Sequence, residues 1–503
     1  MATRTYQHAI ECLNSLQSNA AHLEATRAAG NRKLNTAIPE MVAYLEKLGY
    51  KQEDLNRLNV IHVTGTKGKG STCAFADSVL RHLRPSWKVG LYTSPHLVAA
   101  RERIRINGAP ISEGDFARFF FEVWDRLEAN TELKFPTMTP KPMYFKFVTL
   151  VAYHAFLTLQ VDATILEVGV GGRYDSTNAV PQPVVTGISA LGIDHVQVLG
   201  KTIAEIAWQK AGIFKEGIPA ITVNQPEDGM EVLKKEAELV KASEFVVAST
   251  VREVIEAKLG LAGRHQSQNA KLAVILVKKF LQRKEGIDFD SVPHDAIAQG
   301  LEYTKWPGRC QTVQDPRHPN ITWFLDGAHT IESLECCMQW FVSPDAALRL
   351  TPSSERRTRV LVFNCTHGRS GPRFLACMLA TAAEQLKLYA SSEDTHSLFD
   401  LVVFCTNVTY ADGHYKGDLT AVGIPEDELK HLTVQHELAS AWKALAPDFP
   451  HDRVHVLPSI EHAVRLIQNV AGSGSNSTDI LVTGSLLLVG GMIESANLSD
   501  VAL

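Results

Sequence analysis

The segment that most constrains the fold is residues 61–72, IHVTGTKGKGST, where an apolar run passes through clustered glycines into a helical pattern. Residues 59–64 have the apolar, β-branched character of a buried strand. Phe75, Val79 and Leu83 then recur at helical spacing and predict a helix over residues 71–83. A strand, a glycine turn and a helix in this order predict an α/β fold whose sheet is largely parallel.

The glycine turn has the composition of a phosphate-binding loop. Glycines let the backbone curl so that successive N–H groups point into one concavity, and the following helix N-terminus adds partial positive charge. Lys69 is placed to reach phosphate oxygens, and Gly68, Gly70 and Ser71 complete the group expected to hold them. The strict P-loop pattern is not met, because Val63 replaces its first glycine and Gly70 separates the lysine from the serine. The alternative is a glycine-rich turn with incidental lysines, but the flanking strand and helix favour a nucleotide-phosphate site.

Strand-like and helical patterns alternate along the rest of the chain, which is typical of parallel sheets covered on both faces. Strands are predicted at residues 163–168, 184–190, 218–223, 322–325, 359–364, 401–406 and 480–483. A helix is predicted at residues 202–214 with Thr202 as its N-cap, and residues 471–479 are predicted to form a surface loop. The pattern breaks at KWPGR, residues 305–309, before a second α/β series begins. We therefore predict two domains, residues 1–304 and residues 305–503.

Polar side chains follow three of the predicted strands in the first domain. Glu167 ends one strand, and a carboxylate at that end faces the crevice where α/β sheets bind ligands. Asp194 and His195 follow the next strand, and Ser94 follows a shorter one. Because Mg²⁺ prefers oxygen ligands and phosphates, Glu167 is predicted to be a metal ligand. His195 is predicted to be another ligand because its strand ends at the same edge of the sheet, and Ser94 would offer a hydroxyl to a second metal ion. The alternatives are a hydrogen-bonded structural histidine and a plain turn serine.

Composition excludes several other classes of protein. The 503 residues carry a formal net charge of -5, so no global positive field would recruit nucleic acid or anionic lipid. The eight cysteines form no C-x-x-C pair and are expected to be reduced. No apolar run has membrane-spanning length, and the first residues do not have the pattern of a secretory signal. We therefore expect a cytoplasmic protein, and an alternative upstream start would allow a mitochondrial form.

Eight segments, taken together, resemble the folylpolyglutamate synthase family of the Mur ligase superfamily. They are HVTGTKGKGST, LYTSPHLVAARERIRINGAPIS, ILEVGVGGRYDSTNAV, GIDHVQVLGKTIAEIAWQKAGIFKEG, RHQSQNAKLAV, WPGRCQTV, FLDGAHT and VTGSLLLVGG. They run in the family's order over nearly the whole chain. Their joint occurrence is highly specific, although no single motif is.

The resemblance implies a P-loop ATPase-like, doubly wound N-terminal domain that binds ATP, and a smaller Rossmann-like C-terminal glutamate-ligase domain. It also implies an ATP- and Mg²⁺-dependent ligase of one-carbon metabolism. Such an enzyme adds L-glutamate to the γ-carboxylate of reduced folates through an acyl phosphate. A monovalent cation is a further implied cofactor, and the enzyme is expected to act as a monomer on small-molecule substrates.

The resemblance also assigns residues that spacing alone does not. Lys210, in AWQKAGI, corresponds to a lysine that many members carry as a carbamate, and the alternative is a neutral or salt-bridged lysine. Asn269 would contact adenine, and Arg309 and Asp326 would complete the ATP site. His329, in DGAHT, would lie near the incoming glutamate and act as a catalytic group beside Lys69 and Lys210. On residues alone, the arginine is equally a surface charge and the aspartate a helix cap.

Two positions distinguish this chain from its relatives. Lys67 stands where many bacterial members have Asn, and it favours a eukaryotic folylpolyglutamate synthase over a bacterial bifunctional enzyme. Leu487 occupies a place where relatives often have His, so a role assigned to that His is not transferred. The alternatives are a dihydrofolate synthase or bifunctional sibling, and a P-loop nucleotide-binding protein without ligase chemistry.

Overall fold

A computed structural model describes residues 4–17, 36–348, 357–365, 370–391, 393–420, 426–472 and 477–503. The chain divides into two compact units. The first consists of Met1–His96, Ala100–Gly260 and Gln266–Lys305. The second consists of Leu97–Ala99, Leu261–His265 and Trp306–Leu503.

The first unit is built on one eight-stranded sheet with the order β4-β3-β2-β5-β1-β6-β7-β8. Its strands are β1 Val60–Thr64, β2 Val89–Tyr92, β3 Ile104–Ile106, β4 Ala109–Pro110, β5 Ala163–Glu167, β6 Val185–Ile188, β7 Ala220–Thr222 and β8 Phe245–Val247. All pairings are parallel except β2 with β3 and β3 with β4. Sequence patterns did not predict β3 and β4, because strands of two or three residues at a sheet edge carry too little periodicity.

Helices surround this sheet. They are α1 Tyr6–Ser15, α2 Ala37–Lys47, α3 Lys69–Leu83, α4 Glu113–Ala129, α5 Tyr144–Leu159, α6 Val196–Leu199, α7 Ile203–Ala211, α8 Glu227–Leu239, α9 Arg252–Glu256, α10 Gln266–Glu285 and α11 His294–Glu302. Thr202 caps α7 as predicted: its hydroxyl accepts from the Glu205 N–H, and Glu205 reciprocates at the Thr202 N–H. No helix within the described ranges combines the length and apolar character needed to cross a bilayer.

The central strand β1 explains why the first unit places its loops as it does. All five of its residues are buried, and it pairs in parallel with β5 on one side and β6 on the other. A strand buried on both faces must be apolar throughout, which is why Val60, Ile61 and Val63 form a nearly continuous run. The carboxyl ends of β5, β1 and β6 therefore lie side by side at one edge of the sheet.

The second unit has a six-stranded sheet with the order β13-β12-β11-β14-β10-β9. Its strands are β9 Gln311–Gln314, β10 Ile321–Leu325, β11 Thr358–Phe363, β12 Leu401–Cys405, β13 Val454–Leu457 and β14 Thr478–Thr483. Its helices are α12 Ile331–Phe341, α13 Gly371–Leu388, α14 Glu426–His431, α15 Thr433–Leu445, α16 Ile460–Gly472, α17 Leu486–Ser495 and α18 Ser499–Ala502. Only β9, at the edge, is antiparallel among the pairings of these strands.

The predicted surface loop at residues 471–479 is wrong at both ends. Ala471 is buried in α16, and Thr478 and Asp479 belong to β14. Asp479 is fully buried and accepts a hydrogen bond from the Arg357 side chain. Asp479 can lie inside a buried strand because the Arg357 side chain donates to its carboxylate. The two residues are 122 positions apart in the sequence, so local composition does not reveal this partner. Residues 473–476 lie outside the described residues.

Candidate active site

The turn after β1 adopts the conformation that its glycines permit. Gly65 and Gly68 have φ of +153° and +83°, and Gly68 is the N-cap of α3. A Cβ at Gly65 would lie 1.9 Å from Ser189 Oγ, and one at Gly68 would lie 2.1 Å from Asn269 Oδ1. The backbone N–H groups of Thr66 and Lys67 both donate to the Ala190 carbonyl, at 2.9 and 3.0 Å. The turn is therefore held rigidly against the end of β6 and the start of α10.

Two lysine side chains converge on the first carbonyl of this turn. Lys69 Nζ donates to Gly65 O at 3.1 Å, and Lys210 Nζ, from α7, donates to the same oxygen at 2.7 Å. Lys210 is 2% exposed, and burial lowers its pKa well below the ordinary lysine value, with the charge of Lys69 lowering it further. An ammonium has three donors, so one bond to a carbonyl leaves each group capacity for further acceptors.

A third lysine at the turn is neutralised. Lys67 Nζ lies 3.0 Å from Asp194 Oδ2. Burial alone would raise the pKa of the Asp194 carboxyl, but the charge and hydrogen bond of Lys67 outweigh it and hold that pKa well below its usual range. Asp194 also accepts from the His195 N–H at 2.9 Å. The acidic residue predicted beside His195 therefore braces the phosphate loop.

Ser94 and Glu167 are brought together. They follow neighbouring strands, β2 and β5, and the Ser94 N–H donates to Glu167 Oε2 at 2.9 Å. Glu167 is 4% exposed at the end of β5, directly beside β1. The carboxylate therefore lies at the sheet edge that also carries the lysine-bearing turn, in agreement with the geometric part of the prediction.

His195 is placed differently. It is exposed and has the left-handed φ of 50° as the N-cap of α6, after the end of β6. Among the described residues, no group of three or more His, Cys, Asp or Glu side chains could hold a metal ion on its own. A single carboxylate with a neighbouring hydroxyl fits an Mg²⁺ ion that is bound mainly through phosphate oxygens and water. The roles of Ser94, Glu167 and His195 as metal ligands remain predictions.

Asn269 lies in the first turn of α10, 4% exposed, with its side chain above Gly68. Its Nδ2 donates to the Oε1 atom of Gln266, one helical turn earlier, at 2.9 Å. The amide is thereby oriented beside the phosphate loop. This position is compatible with the predicted contact to adenine, which remains a prediction.

In the second unit, Asp326 directly follows β10 and is 6% exposed. Its Oδ2 accepts from the Cys310 N–H at 2.7 Å, and its Oδ1 accepts from the Ala328 N–H at 2.9 Å. Arg309 Nη1 donates to Gly308 O at 2.9 Å. The DGAH turn is also close-packed, since a Cβ at Gly327 would lie 2.9 Å from Arg309 Nη1. Both predicted residues thus belong to one braced turn.

His329 lies three residues further on, before the Thr330 N-cap of α12. Its Nδ1 is 2.8 Å from Gly327 O, and its N–H donates to Ser333 Oγ at 3.1 Å. A ring Nδ1 beside a carbonyl carries the proton, so the imidazole is held with Nε2 directed away from that carbonyl. Leu487 lies in α17, in the same unit.

Sequence patterns missed a buried polar chain behind the phosphate loop. His62 Nε2 contacts Thr177 Oγ1 at 2.9 Å, and this hydroxyl donates to Asp175 Oδ1 at 2.6 Å. Asp175 also accepts from the Val170 N–H at 3.1 Å and so holds the glycine segment after Glu167. In the sequence, the signal for this chain was His62, a titratable residue within a strand that is otherwise mostly apolar.

Taken together, the first unit is an α/β nucleotide-binding fold in which a glycine turn, two lysines and a carboxylate lie at the carboxyl edge of one parallel sheet. The sequence is 41% identical over 514 residues to "Folylpolyglutamate synthase" of Saccharomyces cerevisiae (strain FostersO), covering 100% of this chain and 88% of the relative. The strain AWRI796 relative of the same description is likewise 41% identical over 514 residues. A scan against protein-family models found no match.

Solved structures support the same fold. Mycobacterium tuberculosis folylpolyglutamate synthase complexed with ADP and AMPPCP matches with a TM-score of 0.67 and 24% identity, covering 91% of this chain and 95% of that one. The apo form of L. casei FPGS matches with a TM-score of 0.65 and 21% identity, covering 98% and 99%. The architecture is therefore the fold of these folylpolyglutamate synthase structures. The chain belongs to the folylpolyglutamate synthase family.

Proposed function

We propose that this protein is an ATP-dependent ligase that adds L-glutamate to the γ-carboxylate of reduced folates and of their polyglutamates. The observation that carries the proposal is that the turn after β1 presents Lys69 while Glu167 ends the neighbouring β5, which provides a cation for phosphates beside a carboxylate for a metal ion. Lys210, from α7, donates to the same Gly65 carbonyl as Lys69. Full-length similarity to a yeast folylpolyglutamate synthase supports the choice of substrates.

A carboxylate does not condense with an amine at neutral pH, because its oxygen is a poor leaving group. Transfer of the γ-phosphoryl group of ATP to the folate γ-carboxylate gives an acyl phosphate and ADP. The amine of glutamate then attacks the acyl carbon, phosphate leaves, and the nitrogen loses a proton. Phosphoryl transfer needs positioning and charge neutralisation more than covalent help from the protein.

The residues divide this work as follows. Gly68, Lys69, Gly70 and Ser71 would hold the phosphates, because the turn offers backbone N–H groups and an ammonium at a helix N-terminus. Ser94, Glu167 and His195 would hold Mg²⁺, which would neutralise phosphate charge. Asn269 would contact adenine, and Arg309 and Asp326 would complete the ATP site. His329 would take the proton of the incoming amine.

Lys210 is proposed to carry a carbamate. The free amine is the form that attacks CO₂, forming an N–C bond and releasing a proton, and the lowered pKa of Lys210 favours that form. Two amines beside one carbonyl repel each other when both are charged, whereas a carbamate would pair with Lys69 and supply an anionic oxygen. Intact-mass measurement in bicarbonate buffer should show a gain of one CO₂, lost in Lys210→Ala. An unmodified amine would exclude the carbamate.

The direct test of function is incorporation of labelled glutamate, with ATP, into tetrahydrofolate and into dihydropteroate. We expect incorporation into the folate only. Incorporation into dihydropteroate would indicate a dihydrofolate synthase or a bifunctional enzyme. ATP hydrolysis that does not depend on glutamate would instead support a nucleotide-binding protein without ligase chemistry.

The metal assignment has its own test. Glu167→Ala should shift the Mg²⁺ titration of activity to higher concentration, because it removes the carboxylate at the end of β5. Glu216→Ala, whose side chain is 78% exposed in a surface pair with Lys241, is the control. An unchanged titration for Glu167→Ala would contradict the assignment. Titrating activity with K⁺ and Na⁺ tests the proposed monovalent cation.

Organisation and location are proposals of the same kind. We expect residues 1–304 to act as the ATP-binding domain and residues 305–503 as the glutamate-ligase domain. We also expect a monomer in the cytoplasm, and an alternative upstream start would allow a mitochondrial form. Light scattering of the purified protein and subcellular fractionation test these statements.

A further inference from the structure

The residues that are predicted to bind ligands lie at the ends of adjacent strands, along one edge of the first sheet. The phosphate loop follows β1, Glu167 ends the neighbouring β5, and Ser94 follows β2 beyond it. The next strand, β3, is antiparallel and begins where β2 ends, and the residue just before it is Arg103. The Thr93 N–H donates to the Arg103 carbonyl at 3.1 Å, so this arginine adjoins Ser94 on the side away from the phosphate loop.

The Arg103 side chain is held in place and largely withdrawn from water. Its Nε donates to His96 Nδ1 at 2.9 Å, and its Cζ lies 5.4 Å from the centroid of the Tyr144 ring. The residue is only 7% exposed. An arginine fixed by a hydrogen bond and an aromatic face loses little further entropy when it binds an anion.

The hydrogen-bonding capacity of this guanidinium is mostly unused. Of its five N–H donors, the four on the two Nη atoms donate to no residue among those that the structure describes. The neighbouring Arg105 differs, because its Nε and Nη1 donate to the carbonyls of Glu102 and Gly108. A buried guanidinium whose two Nη atoms have no acceptor in the described part of the chain is suited to bind a carboxylate or a phosphate through two parallel hydrogen bonds.

The strand order indicates which anion this is. Three strand spacings separate β1 from β3, roughly 14 Å, so the lysines of the phosphate loop serve the nucleotide and Arg103 serves another group. In the proposed reaction, the acceptor's γ-carboxylate must meet the γ-phosphate near Glu167. The same glutamate of the acceptor carries an α-carboxylate that does not react and is free to be bound.

We propose that Arg103 binds the α-carboxylate of the acceptor's terminal glutamate and so positions its γ-carboxylate for phosphorylation. This inference rests on the proposed function, because it assumes a folate acceptor. Arg103 would thereby favour acceptors that end in glutamate over those that end in an uncharged group. His96 and Tyr144 would be positioning residues for this arginine.

The test compares Arg103→Gln with wild type on two acceptors, a folate and its α-carboxamide. One charge-assisted, bidentate contact corresponds to roughly a 10- to 100-fold change in affinity. Arg103→Gln should raise KM for the folate by that factor and leave KM for ATP within about twofold. The α-carboxamide should bind wild type weakly, and the substitution should not weaken it further. Arg103→Lys should bind the folate more tightly than Arg103→Gln does, since lysine restores the positive charge but not the two parallel N–H donors.

The matched control is Arg118→Gln, because Arg118 also lies over an aromatic ring, with Cζ 4.0 Å from the Phe119 centroid, but its side chain is 45% exposed. This control should leave both KM values unchanged. Thermal unfolding of each variant shows whether the fold persists. Equal weakening of both acceptors by Arg103→Gln, or a raised KM for ATP alone, would overturn the inference.

Failure of the proposed function gives a different result. Wild type would then incorporate no glutamate into any folate. Calorimetric titration of folate and its α-carboxamide, with a non-hydrolysable ATP analogue present, still tests Arg103 in that case. Equal dissociation constants for wild type and Arg103→Gln would then reject the carboxylate site.

Discussion

Two loops that follow parallel strands, one in each unit, use their charged side chains differently. After β1, Lys69 and Lys210 each donate to the Gly65 carbonyl and have donors left over. After β10, Asp326 accepts from two backbone N–H groups, those of Cys310 and Ala328. The first loop therefore leaves cationic donors available, whereas the carboxylate of the second also braces its own turn. The same strand–loop–helix connection can therefore place free cationic donors at one strand end and a hydrogen-bonded carboxylate at another.

The substitution Lys69→Ala is the strongest test of this difference between the two loops. Removing one preorganised cation should lower kcat by roughly 1000-fold, or about 4 kcal/mol, while unfolding changes little because Lys69 makes a single carbonyl contact. Glutamate incorporation and urea unfolding are the measurements. Lys241→Ala, at a side chain that is 79% exposed, is the control. Near-normal turnover would mean that the loop does not bind phosphates.

Gly68→Ala tests whether the loop must be rigid. Its φ of +83° and the 2.1 Å approach to Asn269 Oδ1 should together cost roughly 3 kcal/mol of stability or nucleotide affinity. Gly217→Ala is a close control, because φ is +69° there and the space around it is open, so about 1 kcal/mol is expected. If Gly68→Ala and Gly217→Ala had equal effects on unfolding and on ATP binding, the close approach to Asn269 would not contribute.

Asp326→Ala tests the braced loop. Two buried N–H groups would lose their acceptor, which should lower the free energy of unfolding by about 2–3 kcal/mol. Asp345→Ala, at an exposed position of the same unit, should change it by less than about 0.5 kcal/mol. Calorimetry and hydrogen exchange at residues 308–328 are the measurements. A loss of activity without loss of stability would show that Asp326 acts in the proposed ATP site and does not brace its own turn.

The smallest expected effect is a pH dependence of the free energy of unfolding, which arises from the buried His62. Burial lowers the pKa of His62 to about 3 from its ordinary 6.5. The folded state keeps this ring neutral, so the unfolded state takes up a proton first as pH falls, and stability declines between about pH 6.5 and 3. The loss should be about 2 kcal/mol at pH 5 relative to pH 7.5.

Urea unfolding across this pH range measures the effect. His62→Gln should flatten the slope, whereas His451→Gln, at an exposed position, should not. An unchanged slope in His62→Gln would assign the dependence to other groups.

Local patterns predicted much of this architecture and part of the site. Strands such as β1, β5 and β11 lie within a residue or two of the predictions, because buried strands are apolar throughout their length. The edge strands β4 and β9 went unpredicted, since an edge needs little hydrophobicity. Asp194 was predicted beside His195, but its ion pair with Lys67 was not, because 127 residues separate the two.

By itself, the sequence determined that a buried strand would end in a glycine turn that carries Lys69, and that Glu167 and Ser94 would follow two further strands. These are properties of short segments, set by apolar runs, glycine and helix spacing. Only the tertiary structure decided that Lys210 meets Gly65, that Asn269 covers Gly68, and that Arg103 adjoins Ser94 with its donors unspent. Such contacts depend on the order of strands in the sheet, which hydrogen bonds and burial over the whole chain select and no local pattern encodes.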